Sequence, residues 1–301
     1  MYFSLVVMMF LFLAGSLPAV TPSEYDQLTS TITAQRREAA VALSRTQDPS
    51  ATGALRKAVQ DKDAFVRARA LDGLGQLRDT ASEPLIRERL SVDPSSEVRG
   101  SAACALRRVY RAESVSALLK ALADSQETVR IEAVHTLAEI PSENATNALL
   151  QAGKNQMASV RRTAVVALGQ RTGPTVAAGL KQSLRDTDPA VRANAIDGTR
   201  ALLGAQILGD IKPMLKDPDH SVQAAAARAL AVLGDSSGME TAQSLVKDPD
   251  LPIQLLAIDA LGYLQDSTLL PILEGLAQDL NPAIQQTAQT SLARFKMKQS
   301  H

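Results

Sequence analysis

The sequence predicts an all-α chain, an α-solenoid of stacked helix pairs, on two observations. The first is a recurrence. A hydrophobic residue followed by Arg or Gln stands at Val66-Arg67, Val98-Arg99, Val129-Arg130, Val160-Arg161, Val191-Arg192, Val222-Gln223, Ile253-Gln254 and Ile284-Gln285, the first interval 32 residues and the other six 31. The second is the pattern around each pair. With the Val or Ile as position 0, position 4 is Ala throughout (Ala70, Ala102, Ala133, Ala164, Ala195, Ala226, Ala257, Ala288), and position 8 is Leu except at Thr199. Positions 0, 4, 8 and 11 share one side of a 3.6-residue helix, so each unit contains an amphipathic helix, here helix B. A fixed period of this length marks a repeat array.

The elements follow in chain order. Residues 2–13 (YFSLVVMMFLFL) are almost uninterruptedly apolar and run into Ala14, Gly15, Ser16, Leu17, Pro18 and Ala19. This is the pattern of a secretory h-region and its cleavage zone, with cleavage expected after Ser16 or Ala19. No Lys or Arg precedes Arg36, so the usual cationic n-region is missing. Counted through Val20, the stretch also suffices for an uncleaved membrane anchor, and a buried helix is a third reading. Ser16 stands where a lipidated Cys would be needed, which excludes a lipoprotein anchor. Residues 1–19 are therefore assigned as signal peptide or membrane anchor, and 20–30 as a linker or the start of the first helix.

Residues 31–296 form the array. Gln35, Arg36, Ala39 and Leu43 fit the helix-B template one period before the first full unit, giving a leading helix. Before each helix B runs another apolar segment, such as VSALLKALAD (115–124), VAAGLKQSLRD (176–186) and LLPILEGLAQD (269–279), followed by an Asp, Pro, Ser or Asn-rich turn. The unit is helix A, tight turn, helix B, loop, and there are about eight. One pair cannot bury its own stripe, so successive pairs must stack. Position 7 is small throughout, from Gly73 to Ser291, which lets a neighbouring helix approach closely. Pro213 and Pro271 fall within helix A segments and predict local bends. Residues 297–301 read as a polar tail.

Six residues before each Arg or Gln stands an acid: Asp61, Asp93, Asp124, Asp186, Asp217, Asp248 and Asp279, with Asn155 in the fourth unit. An acid there can cap helix B. The Arg one turn into helix B can reach that carboxylate, or the turn of the next unit. A ladder holding repeats in register outweighs a row of anion-binding arginines, because each Arg comes with a compensating acid. On this reading Arg130→Ala leaves Asp124 unpaired and costs about 1–3 kcal/mol. The last three units carry Gln, so their ladder should be less electrostatic.

Asp six residues before Arg, Val just before it and Ala-x-x-x-Leu after it resemble HEAT repeats, and the 31-residue period is similar to the bacterial short form also called phycobilisome-lyase HEAT-like repeats. The resemblance covers roughly residues 31–296. It implies an Asp–Arg ladder and B helices lining a concave wall, with positions 2, 6 and 9 exposed: Ala68, Asp72 and Gly75; Arg162, Val166 and Gly169; Leu255, Asp259 and Gly262. At about 8–10 Å per helix layer, eight units make a wall roughly 65–80 Å long.

Composition narrows the function. Lys plus Arg number 32 and Asp plus Glu 32, so no basic excess points to nucleic acid. Trp is absent and aromatics are 3%, which leaves little for base stacking or aromatic cages. One Cys and three His exclude a disulfide framework and argue against a metal centre. His135 lies near Glu132 and Glu139, but with no second His it is a weak ligand candidate. Cys104, among alanines, reads as a small packed residue. Asn144-Ala145-Thr146 is formally a glycosylation acceptor. No phosphate loop, nucleophile elbow or paired catalytic carboxylates occur, so no catalytic, cofactor-binding or metal residue is assigned.

Charge is uneven along the chain: residues 203–293 carry four basic residues against eleven acids, and residues 22–202 carry 25 against 21. Arg107, Arg108, Arg111, Arg162 and Arg200 lie outside the ladder, and Arg107, Arg108, Arg162 and Arg200 are the candidate partner-binding residues. The expected function is a non-enzymatic, exported or envelope-associated scaffold, periplasmic or secreted, that grips a protein or extended peptide along helix B and uses no cofactor. Bacterial origin follows from the short-repeat resemblance alone. An accessory of the lyase type, binding a tetrapyrrole and its acceptor protein, is the alternative; a DNA-repair glycosylase on such repeats is the weakest.

Overall fold

The computed structural model describes residues 22–110 and 112–299. The apolar segment 1–19 and Arg111 lie outside the described residues. No strand occurs among the described residues, and the chain divides into two compact units at Ile140 and Pro141.

The first unit contains α1 (Pro22–Gln27), α2 (Thr33–Ser44), α3 (Thr52–Ala58), α4 (Ala64–Gln76), α5 (Glu83–Val92), α6 (Ser96–Val109), α7 (Ala112–Ala121) and α8 (Glu127–Glu139). The second contains α9 (Glu143–Ala152), α10 (Ala158–Leu168), α11 (Pro174–Ser183), α12 (Pro189–Leu203), α13 (Leu208–Ile211), α14 (His220–Val232), α15 (Met239–Leu245), α16 (Leu251–Leu261), α17 (Leu270–Leu276) and α18 (Pro282–Gln299). Even-numbered helices are the B helices. The stretch 20–30 includes a helix, α1, and α18 continues through Gln299, past the start of the expected tail. No helix among the described residues is long and apolar enough to cross a membrane.

Within each unit consecutive B helices pack side by side, α4 on α6, α6 on α8, α10 on α12, α14 on α16. The stripe read from the sequence is what they bury: every position-4 Ala is inaccessible or nearly so, as are the position-8 leucines through Leu261. Leu292, in the last repeat, is only partly covered. Thr199 is tolerated at position 8 because its hydroxyl donates to the Ala195 and Ile196 carbonyls of its own helix, 2.7 and 3.0 Å away.

The expected exposure of position 9 is corrected. Gly75 and Gly262 are buried, as is Ala68 at position 2. Position 9 of one repeat is where the next repeat's position 7 touches it: a Cβ on Gly75 would lie 3.0 Å from the Ala105 Cα, and one on Gly169 3.3 Å from the Gly198 Cα. The approach is closest at Gly262, where a Cβ would lie 2.5 Å from the Ser291 Cβ and 2.6 Å from its Cα. Gly262→Ala should therefore cost about 1–3 kcal/mol by prying α16 from α18. Gly275→Ala, with nothing within 4 Å of the new methyl group, should stabilise α17 by about 0.5–1 kcal/mol. Urea unfolding of the two variants checks the pair; equal midpoints would sink the close-approach account.

Of the two prolines, Pro213 does break its helix A, which becomes the 3-10 turn Gly204–Ile207, the short α13, and a second 3-10 stretch, Lys212–Lys216. Pro271 bends nothing. It occupies the first turn of α17, where its missing N–H has no helical partner to lose.

Candidate functional site

The recurring arginines are used for structure. In the first unit Arg36, Arg67 and Arg99 each clamp the acid of the following repeat through two nitrogens. The Arg67 Nε and Nη2 lie 2.9 and 2.8 Å from the Asp93 carboxylate, and those of Arg99 2.7 and 2.8 Å from Asp124. In the second unit Arg161 holds Asp186 and Arg192 holds Asp217 in the same way. The third nitrogen, Nη1, donates to a backbone carbonyl of the arginine's own turn: Asp61 for Arg67, Asp93 for Arg99, Asp186 for Arg192. Each guanidinium thus joins its own turn to the next, which fixes register.

Two details depart from the sequence reading. The ladder acid does not cap helix B; it accepts the N–H two residues on, as Asp61 does from Asp63, and the cap belongs to Asp63 or Asp188. Asp124 is held by Arg99, so removing Arg130 would not leave it unpaired. Among the described residues Arg130 keeps only the Asp124 carbonyl, and its Nε has no acceptor. Where Gln replaces Arg the ladder loses its ionic half, as expected: Gln223 donates to Asp217 O at 2.7 Å, the equivalent carbonyl, and Gln254 to Val246 O at 2.6 Å, at the end of helix A. Asp248, left without an Arg, meets His220 Nδ1 at 2.6 Å.

A hydrogen bond from Arg99 holds the Asp124 carboxyl below the usual carboxylate range, and one from Arg37 does the same for Asp63. Lys212 and Ser237 bring Asp235 down to about 2. Depressed folded values mean stability that is present above the unfolded value of about 4 and lost as pH falls from there through the folded values. Thermal stability should therefore decline between about pH 4 and pH 2, and Arg99→Gln should flatten that decline. A melting temperature equal at pH 6 and pH 2.5 would contradict it.

With the ladder spoken for, further charged groups on the B helices pair with one another. In the second unit Arg228 bridges Asp259 at 2.6 Å and Asp197 at 3.3 Å, and Arg294 meets Asp259 at 2.9 Å with its guanidinium 3.9 Å from the Tyr263 ring centre. Arg200 lies 3.6 Å from Asp197. Arg162 is exposed, with no hydrogen bond or ion pair among the described residues, one turn from Val166, which is 53% exposed. A cavity of about 1060 Å³ opens beside the broken helix A, lined by Lys154, Lys181, Arg185, Gly209, Asp210 and Met214; Lys181 and Asp210 pair across it at 3.0 Å.

In the first unit Arg107 Nη1 lies 3.2 Å from Glu139, and its Nη2 3.4 Å from Glu132 and 3.2 Å from the Cys104 Sγ. The two acids flanking His135 are thus engaged by an arginine, and His135 itself is exposed. Arg108 makes no hydrogen bond or ion pair among the described residues. Arg78, Cys104, Arg107, Arg108, Tyr110 and Glu139 line a cavity of about 590 Å³. Of the four candidate residues, Arg107 and Arg108 therefore share a site, while Arg162 and Arg200 lie in the other unit. Arg78 escaped the sequence reading, which had no way to register its backbone conformation.

The family described as HEAT repeats matches residues 26–107, 82–169, 115–200, 178–250 and 208–293. Among solved structures, YibA of Escherichia coli is 17% identical with a TM-score of 0.54, over 92% of this chain and 93% of that one. Importin beta is 15% identical with a TM-score of 0.60, over 91% of this chain and 45% of that one. Likeness at this level concerns the fold. No curated protein matches.

Proposed function

The chain belongs to the HEAT-repeat family, and from that premise we propose that it is a non-enzymatic scaffold which binds a protein or extended peptide along its B-helix face. HEAT-repeat solenoids commonly serve as protein-interaction scaffolds. The observation that carries the reading is how the arginines divide. Those of the ladder are consumed in register, whereas Arg108 and Arg162 stand on B helices with no partner among the described residues, and Val166 presents an apolar side chain beside Arg162. Unpaired cations beside exposed apolar groups suit a surface gripped at many weak points by another chain. Zero net charge favours a protein over nucleic acid. The apolar segment 2–13 supports export or envelope association, with the scaffold periplasmic, secreted or anchored.

The test is site-specific photo-crosslinking of the full chain in native envelope extracts. A photoreactive residue at Val166 should capture a defined protein, and one at Gln182, exposed on helix A (α11), should not. Equal capture at both positions, or none at either, would refute a B-face scaffold.

A further inference from the structure

Two arginines in the first unit occupy positions where the repeat calls for something smaller, and both line the same cavity. Arg78 has a φ of 52°, the left-handed region, and among the described residues no other non-glycine residue does. The turn after α4 returns after α14, where the equivalent residue is Gly234 with a φ of 81°. Both turns close identically, Asp79 N–H donating to Leu74 O at 3.1 Å and Asp235 N–H to Leu230 O at 2.9 Å. Glycine serves this turn without strain, and a side chain is disfavoured there. The side chain does nothing polar to offset the strain: the Arg78 guanidinium makes no hydrogen bond or ion pair among the described residues.

Arg107 is the second departure. Position 9 of helix B is small in Ser44, Gly75, Ala138, Gly169, Ala231, Gly262 and Ala293, and at Gly75, Gly169 and Gly262 the next helix B lies against it; Arg107 and Arg200 break the rule. Arg107 is turned toward Cys104, Glu132 and Glu139, and its buried Nε has no acceptor among the described residues. The carbonyls ending α4 and α6 favour nearby cations, which accounts for Arg107 and Arg108 in the last turn of α6. They do not account for Arg78, since Gly234 completes the same turn. An outlier held without a structural reward points to function.

We propose that this cavity is a carboxylate-binding anchor for an acidic segment of a protein partner; the proposal rests on the scaffold reading above. Arg78, Arg107 and Arg108 line it with Glu139; Glu139 and Glu132 both meet Arg107, which leaves Arg78 and Arg108 in need of negative charge. Two neighbouring Asp or Glu side chains of an extended peptide supply that charge. Arg78 and Arg108, both exposed and unpaired among the described residues, take one carboxylate each through their planar forks. Arg107, braced by Glu132 and Glu139, forms the fixed wall, and Tyr110, 39% exposed, offers a ring and a hydroxyl to the peptide backbone.

The experiment is fluorescence anisotropy on the full chain with a fluorescein-labelled peptide of repeating Glu-Glu-Ala, against the same peptide with Gln for Glu. The wild-type protein should bind the glutamate peptide about tenfold or more tightly than the glutamine one, with affinity falling as salt rises. Arg78→Gly is the decisive variant, because it relieves the backbone. It should melt higher and yet bind about tenfold more weakly, as should Arg108→Gln without the rise in melting temperature. Arg78→Gly that melts higher with unchanged affinity overturns the proposal and leaves only a strained turn. So does a wild-type protein that ignores the glutamate peptide, or that binds a phosphoserine–alanine peptide in its place. Crosslinking at Val166, in the other unit, reads the scaffold function independently: capture retained alongside a failed peptide titration rejects the anchor alone.

Discussion

Ala164→Arg is expected to abolish the cooperative unfolding of the second unit. Ala164 is completely inaccessible at position 4 of α10, which packs against both α9 and α12. A guanidinium forced into that contact has neither room nor a counter-charge. Overpacking alone costs about 1–3 kcal/mol, and an unpaired buried charge about 3–5 kcal/mol. Together they rival the whole stability of a typical domain, about 5–15 kcal/mol. Val166→Arg, two residues along the same helix but exposed, should change stability by less than about 0.5 kcal/mol. Circular dichroism melts of both variants give the answer. Native-like melting of Ala164→Arg would refute the placement of the stripe.

Arg67→Ala should be the most damaging ladder substitution in the first unit. The Asp93 side chain is wholly buried, and Arg67, itself 10% exposed, supplies its two shortest ionic contacts. After truncation Asp93 retains the Ser95 N–H at 3.0 Å and a distant Arg89 at 3.7 Å. A buried carboxylate stripped of its main partner costs about 3 kcal/mol or more. Arg130→Ala removes a guanidinium that bonds one backbone carbonyl, so it should cost only about 1 kcal/mol. The contrast is the test, since both residues occupy position 1 of their helices. If urea unfolding gives the same loss for the two, the bridging acid is not what stabilises the register. Arg67→Lys should recover little, because an ammonium cannot reproduce the two-pronged contact.

The two substitutions also mark how far the sequence could be read. The burial of Ala164 followed from periodicity alone, because a helix that repeats Ala and Leu every fourth residue has one face to bury. The relation between Arg67 and Arg130 did not, although both belong to the same motif. Which acid each arginine takes depends on the distance across the repeat interface, and the motif within one repeat is silent about it. The same limit explains position 9. On a helical wheel Gly75 and Gly262 fall on the outer side, but the neighbouring B helix approaches so closely that they become contact points. The cavity of Arg78, Arg107 and Arg108 was half legible: two of its arginines stood out as extra to the ladder.

The sequence by itself determined the helical class, the repeat boundaries, the buried stripe and the existence of an Asp–Arg ladder. These are local or periodic properties, fixed by side-chain polarity at 3.6-residue spacing and by a 31-residue recurrence. Tertiary structure alone decided which acid each arginine bridges, which glycines lie against a neighbouring helix, and that Arg78 is strained into a glycine conformation beside Arg107 and Arg108. Each of those depends on distances between residues about one repeat apart in sequence, or on a backbone angle. Residue identity constrains neither until the helices have packed.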